Sequence, residues 1–181
     1  MVLEARLSEP VATAPPFPTM PAVTWTPAMS VGVDTLDTDH KMLASLINQL
    51  ADAIAAGEAR AIVASVLNGL LDYTVYHFGR EEAMMAACSY SGLPAHRQIH
   101  AELVEQLNAL HDAYSGGEDD GIETRVLDFM KTWLADHILG HDRHYASAMA
   151  GRGLELARVD DAFNERLAAL DELADAHRDV A

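Results

Sequence analysis

Apolar residues recur along this chain at alternating three- and four-residue steps, the spacing that puts side chains on one face of an α-helix. His40, Leu43, Ile47, Leu50 and Ile54 mark the first such stripe. It predicts a helix from about Thr38 to Ala56, capped by Asp34 or Asp37 and ended by Gly57. A second stripe runs through Val63, Val66, Leu67, Leu70, Thr74, His77, Glu81 and Met84 or Met85, predicting a helix over Arg60 to Ala87. After the turn SYSGLP, Pro94 suits the first position of a third helix that continues to about Tyr114. SGGEDDG breaks the pattern. A fourth helix is then expected from Ile122 to Met149, carrying Val126, Phe129, Met130, Trp133, His137 and Asp142.

Four helices of this length joined by short polar turns predict an all-α fold, an up-down-up-down antiparallel four-helix bundle. We assign it residues 25–150, with Trp25 opening a short extended arm ahead of the first helix. Residues 1–24 are expected to form a mobile tail, because Pro10, Pro15, Pro16, Pro18 and Pro21 lack the amide proton that a helix or ladder needs. Residues 151–181 should add a further C-terminal helix, with a stripe of Leu156, Val159, Phe163, Leu167 and Leu170. Docking on its own bundle is the first reading of that stripe. Self-association, or pairing with a partner's helix through residues 154–176, is the second.

Composition narrows the function by exclusion. At 181 residues, the chain is long enough for one domain with a real core. A net charge of −16 argues against nucleic acid and against anionic membrane surfaces, both of which call for a basic face. The one cysteine, Cys88, excludes an intrachain disulfide and reads as a buried, inert thiol. No apolar run approaches the ~20 residues of a membrane span. Acidic residues near the N-terminus read against a secretory signal, so a reducing cytoplasm is the expected compartment.

The candidate chemistry lies on the apolar stripes themselves. His77 and Glu81 are four residues apart in HFGRE, as are His96 and His100 in HRQIH. Each pair therefore points inward from adjacent helical turns. His40 joins them from the first helix. Burying unpaired imidazoles and carboxylates costs several kcal/mol per charged group, so four helices turning such groups inward make a poor core unless a metal compensates. His137 and Asp142 in HILGHD are five apart, the wrong interval for one face of a regular helix. A local widening to i→i+5 bonding, eased by Gly140, would bring them together. Regular i→i−4 bonding through residues 137–146 would contradict that reading.

Five imidazoles, two bridging carboxylates and a bridging oxo or hydroxo group fill the coordination shells of two iron ions except for one position. One vacancy with no evident substrate pocket suits a diatomic ligand. Nitrogen-rich ligation disfavours magnesium and calcium, and zinc is satisfied by fewer ligands. Leu43, Ile47, Leu103 and Trp133 are candidates for the wall of a dry pocket around that vacancy. Ordinary core packing also explains each of them.

The stretches SVGVDTLDTDHKMLASLINQLADA, LLDYTVYHFGREEAMM, HRQIHAELV and FMKTWLADHILGHD resemble the hemerythrin family in its bacterial branch, over roughly Trp25 to Tyr145. The four-helix bundle of the related myohemerythrin is a known example of this topology. The resemblance implies that His96, His100 and His137 bind one iron and that His40 and His77 bind the iron with the vacancy. Glu81 and Asp142 would bridge the two. It implies reversible O2 binding, in which each iron lends one electron and takes it back on release. Storage, transport and sensing of O2 are all compatible with this. The competing readings are a di-iron redox enzyme acting on peroxide or nitric oxide, and an oxygen-responsive interaction module. Against an oxidase, imidazoles outnumber carboxylates and no Glu-x-x-His lies on the metal-facing stripe. His111, His141, His144 and His177 read as surface residues, Glu82 as a solvated or supporting carboxylate, Tyr73 and Tyr76 as packed tyrosines or as hydrogen-bonding groups near the site, and Trp25 as a cover or a surface residue.

Overall fold

The computed structural model describes residues 20–58, 60–117 and 121–178, with side chains as far as residue 172. Four helices make the bundle: α1 (Asp34–Ala55), α2 (Arg60–Ala87), α3 (Leu93–Ser115) and α4 (Ile122–His137). A π-helical segment, Ile138–Asp142, carries the fourth rod on into α5 (Arg143–Met149). α6 (Gly153–Arg178) follows. α1 packs beside α2 and α4, and α3 closes the opposite side against the same two. This is the predicted up-down-up-down bundle with an arm before it and a helix after it. None of the described helices is long and apolar enough to cross a membrane.

α1 starts one turn earlier than its apolar stripe. Val33, not an aspartate, precedes it, and neither Asp34 nor Asp37 caps it. Both lie inside the first turn, where their charge suits the positive end of the helix dipole. Helical side chains lean toward the N-terminus, so Asp37 reaches back into the arm. It accepts the Val31 amide at 2.8 Å and the Ser30 hydroxyl. The expected caps are therefore corrected: Asp37 ties down the arm instead. At the far end Gly57 does what its position predicts. It sits at φ +63°, the Glu58 amide bonds the Ala53 carbonyl at 3.0 Å, and the Gly57 amide bonds Ile54 at 3.1 Å. α2 closes with the same bond pattern, but there the left-handed position is Ser89 at φ +53°.

The arm is pinned as well as packed. The Val23 amide donates to Asn48 Oδ1 at 2.8 Å, and Asn48 Nδ2 donates to the Val23 carbonyl at 2.9 Å. Met29, Val31 and Val33 are buried. Of the expected tail, residues 1–19 lie outside the described residues.

The core has two apolar ends and a polar waist. One end is built around Leu43, Ile47, Leu50, Leu67, Leu70, Leu107, Val126, Met130 and Leu134. The other holds Leu36, Met84, Met85, Cys88, Tyr145, Met149 and Leu156. Between them lie the buried polar residues Asp39, His40, Thr74, His77, Arg80, Glu81, His96, His100, His137 and Asp142. α6 docks on α2, the first of the two readings of its stripe. Leu156 is buried and Val159, Phe163 and Leu167 half-buried, but Leu170 stays exposed.

Candidate metal centre

The waist brings all seven sequence-predicted ligands together, and each is at most 5% exposed. His40 comes from α1, His77 and Glu81 from α2, His96 and His100 from α3, His137 from the end of α4 and Asp142 from the π segment. The π turn is what allows the last pair. His137 Nε2 stands 3.0 Å from Asp142 Oδ1 although the two are five residues apart.

The donor atoms fall into two overlapping sets. Glu81, His96, His100 and His137 offer atoms within 4.8 Å of one another, and so do His40, His77 and Glu81. Asp142 enters neither tight set, yet it faces both. Its Oδ2 is 3.3 Å from His40 Nε2, and its Oδ1 is 3.4 Å from His96 Nε2 and 3.0 Å from His137 Nε2. Glu81 Oε2 lies 3.0 Å from His100 Nε2 and 3.4 Å from His96 Nε2. Both carboxylates thus stand between two groups of imidazoles.

Hydrogen bonds do not satisfy this cluster. His40 Nδ1 and Nε2, Glu81 Oε2, His96 Nε2, His137 Nδ1 and both Asp142 oxygens are buried without an aligned partner. An orphaned buried donor or acceptor costs about 1–3 kcal/mol. A cation among these atoms removes most of that cost at once, so the residues fit a metal pair. The nitrogen-rich donor set points to iron rather than to magnesium or calcium. Electrostatics agree on the anionic side. Burial pushes the Glu81 carboxyl up, but the nearby His100 and His96 nitrogens outweigh it and hold the group well below the ordinary carboxylate range. Burial and the Glu81 charge raise Asp142, and the His137 and His40 nitrogens bring it back below its usual value.

Neighbouring side chains orient these candidate ligands. Glu82 Oε1 lies 2.9 Å from His100 Nδ1, which makes it a supporting carboxylate and turns Nε2 inward. Asp39 Oδ2 faces His77 Nδ1 at 3.3 Å and fixes that ring in the same way. Tyr145 donates its hydroxyl to Glu81 Oε1. Phe78 stacks on His100 at 3.6 Å, and Trp133 stacks on His137 at 5.1 Å. Trp25 lies over His40, with ring centroids 6.3 Å apart, so the arm covers the centre. Tyr73 donates to Asp39 at 2.8 Å.

Asp39, Arg80 and Tyr145 were not among the expected site residues. Asp39 and Arg80 flank ligands in DTDH and HFGRE, and Tyr145 lies one turn beyond Asp142, so the available signal was adjacency to a ligand. Leu43, Ile47 and Leu103 are buried and Trp133 half-buried, as core residues would be. A groove of about 840 Å³ between α2 and α3 is lined by Val75, Phe78, His100, Ala101 and Val104 among others, and by none of those four. His141 and His144 are exposed, and His111 bonds Asn68 at 2.7 Å, away from the waist. The side chain of His177 lies outside the described residues.

Residues 31–149 match the family model of the hemerythrin HHE cation binding domain. A bacteriohemerythrin of Pseudomonas aeruginosa is 32% identical over 139 residues, covering 77% of this chain and 89% of that protein. A myohemerythrin of Riftia pachyptila is 36% identical over 121 residues, covering 67% and 88%. The solved structure of a wild-type hemerythrin superposes with a TM-score of 0.67 at 31% identity, over 71% of this chain and 98% of that one. A bundle whose waist holds this histidine and carboxylate set, matched on these counts, places the chain in the hemerythrin family.

Proposed function

We propose that this chain holds two iron ions at the waist of its bundle and binds O2 there reversibly. The observation that carries the reading is the pair of histidine groups that meet at Glu81 and face Asp142, with Glu81 Oε2, His40 Nε2, His96 Nε2 and both Asp142 oxygens buried and unpartnered. His96, His100 and His137 would hold one iron and His40 and His77 the other, with Glu81 and Asp142 serving both. Such a pair would supply reversible redox chemistry toward O2.

The protein's own residues keep that exchange reversible. Glu82 and Asp39 hold the rings of His100 and His77 in the tautomer that presents Nε2 inward. Tyr145 occupies Glu81 Oε1, fixing which oxygen remains for the metal side. Leu43, Ile47, Leu103 and Trp133 keep water and stray protons from the vacancy, and Trp25 closes the side facing the arm. A donor set in which imidazoles outnumber carboxylates suits carriage or sensing rather than oxidation of a substrate.

The test is a visible absorption spectrum of the iron-loaded, anaerobically reduced protein. It is repeated after O2 and again after sparging with inert gas. The reading predicts a charge-transfer band that appears with O2 and vanishes on sparging. A band that persists after sparging, with peroxide released or consumed, would replace the carrier by a redox enzyme.

A further inference from the structure

α6 lies outside the segment that matches the hemerythrin model, yet it reaches the metal centre through one side chain. Arg80 is 8% exposed and sits between α6 and the waist. Its Nη1 straddles the Asp39 carboxylate at 2.9 and 3.1 Å. On the other side its Nε stands 2.9 Å from Asp160 Oδ1, an ion pair off the line of the N–H. Its Nη2 donates to Asn164 Oδ1 at 3.2 Å and to the Tyr76 hydroxyl, which in turn donates to Asn164 Oδ1 at 3.1 Å. Asp39 carries the contact inward to His77 Nδ1.

The docking is built for close approach. The Phe163 ring lies so near α2 that a Cβ on Gly79 would stand 3.2 Å from it, and Phe163 also meets the Tyr76 ring at 5.6 Å. A rigid guanidinium fork gripped from both sides fixes both of its partners. With Asp160 and Asn164 withdrawn, Arg80 would keep only Asp39 and Tyr76 as partners. Its grip on Asp39 would loosen, and the carboxylate would lean more on the Tyr73 hydroxyl and the His77 ring.

We propose that Arg80 is a positioning residue, through which the seating of α6 sets how firmly Asp39 holds the His77 ring toward the iron pair. The C-terminal helix is then a tuning element for the centre, outside the family's core. This rests on the assignment of His77 as a ligand.

The experiment uses the full chain carrying Asp160→Asn with Asn164→Ala, Phe163→Ala as a second route to loosening α6, and exposed Asp161→Asn as a control. Three quantities are read: amide exchange along α6, the ring ¹⁵N signals of His77 in the metal-free protein, and the O2 dissociation rate after iron loading. The expected result is faster exchange in α6, displaced His77 signals and an O2 dissociation rate changed by about three- to tenfold, with iron content unchanged. Asp160→Glu with Asn164 intact should restore all three. Faster exchange in α6 with His77 signals and O2 rate unmoved would overturn the proposal, leaving α6 a packing element. An α6 that stays seated without Asp160 and Asn164, with the His77 signals unmoved, would overturn it too. Displaced His77 signals in a protein that loads iron but never binds O2 would support the coupling and refute the O2 reading instead.

Discussion

Glu81 gives one oxygen to the Tyr145 hydroxyl and turns the other toward His100 and His96. With no solvent exposure, neither oxygen has a second use. Removing the carboxylate by Glu81→Ala should therefore lower iron from two per chain to one or none, measured by metal analysis after anaerobic loading. His111→Ala, whose ring bonds Asn68 away from the waist, should leave iron content unchanged. A Glu81→Ala protein that kept two irons and normal O2 binding would refute the bridging role. The seven candidate ligands were readable from sequence because unpaired polar groups at core spacing conflict with burial. Asp39 and Tyr145 were not. Their partners lie 38 and 64 residues away, and only the packing of one helix on another brings them together.

The helices themselves were largely readable, because a three-four apolar step is a local property. Where the prediction missed, a side chain served something other than its own helix. Asp37 resembled a cap but bonds the arm, so α1 begins at Asp34 rather than near Thr38. Ser89 closes α2 at a left-handed φ that favours glycine. Ser89→Gly should raise the unfolding free energy by about 1 kcal/mol in a denaturant titration. The π segment was legible from five-residue spacing alone, since a regular helix would swing Asp142 about 140° from His137. Gly140 is not sterically required there: its φ is not left-handed, and a Cβ would meet nothing within 4 Å. Gly140→Ala should keep full iron content and gain about 0.5 kcal/mol by restricting the unfolded chain. A loss of iron would show that the π turn depends on glycine after all.

At the scale of the molecule, apolar ends enclose a waist that is poorly satisfied without metal. Iron binding should therefore stabilise the whole bundle. Free iron held a hundredfold above its dissociation constant should add about 3 kcal/mol, read as a rise in the melting temperature that a chelator reverses. The sequence showed that α6 had an apolar face but not what covered it, since a stripe carries no record of its partner. It sits on α2 where Gly79 leaves room for the Phe163 ring and where Arg80 meets Asp160. If seven side chains from four helical rods hold two irons, anomalous diffraction at the iron edge from crystals of the loaded protein will show it. Two peaks are expected, one among His96, His100 and His137 and one beside His40 and His77, with Glu81 and Asp142 touching both. A single peak, or peaks elsewhere on the acidic surface, would contradict it.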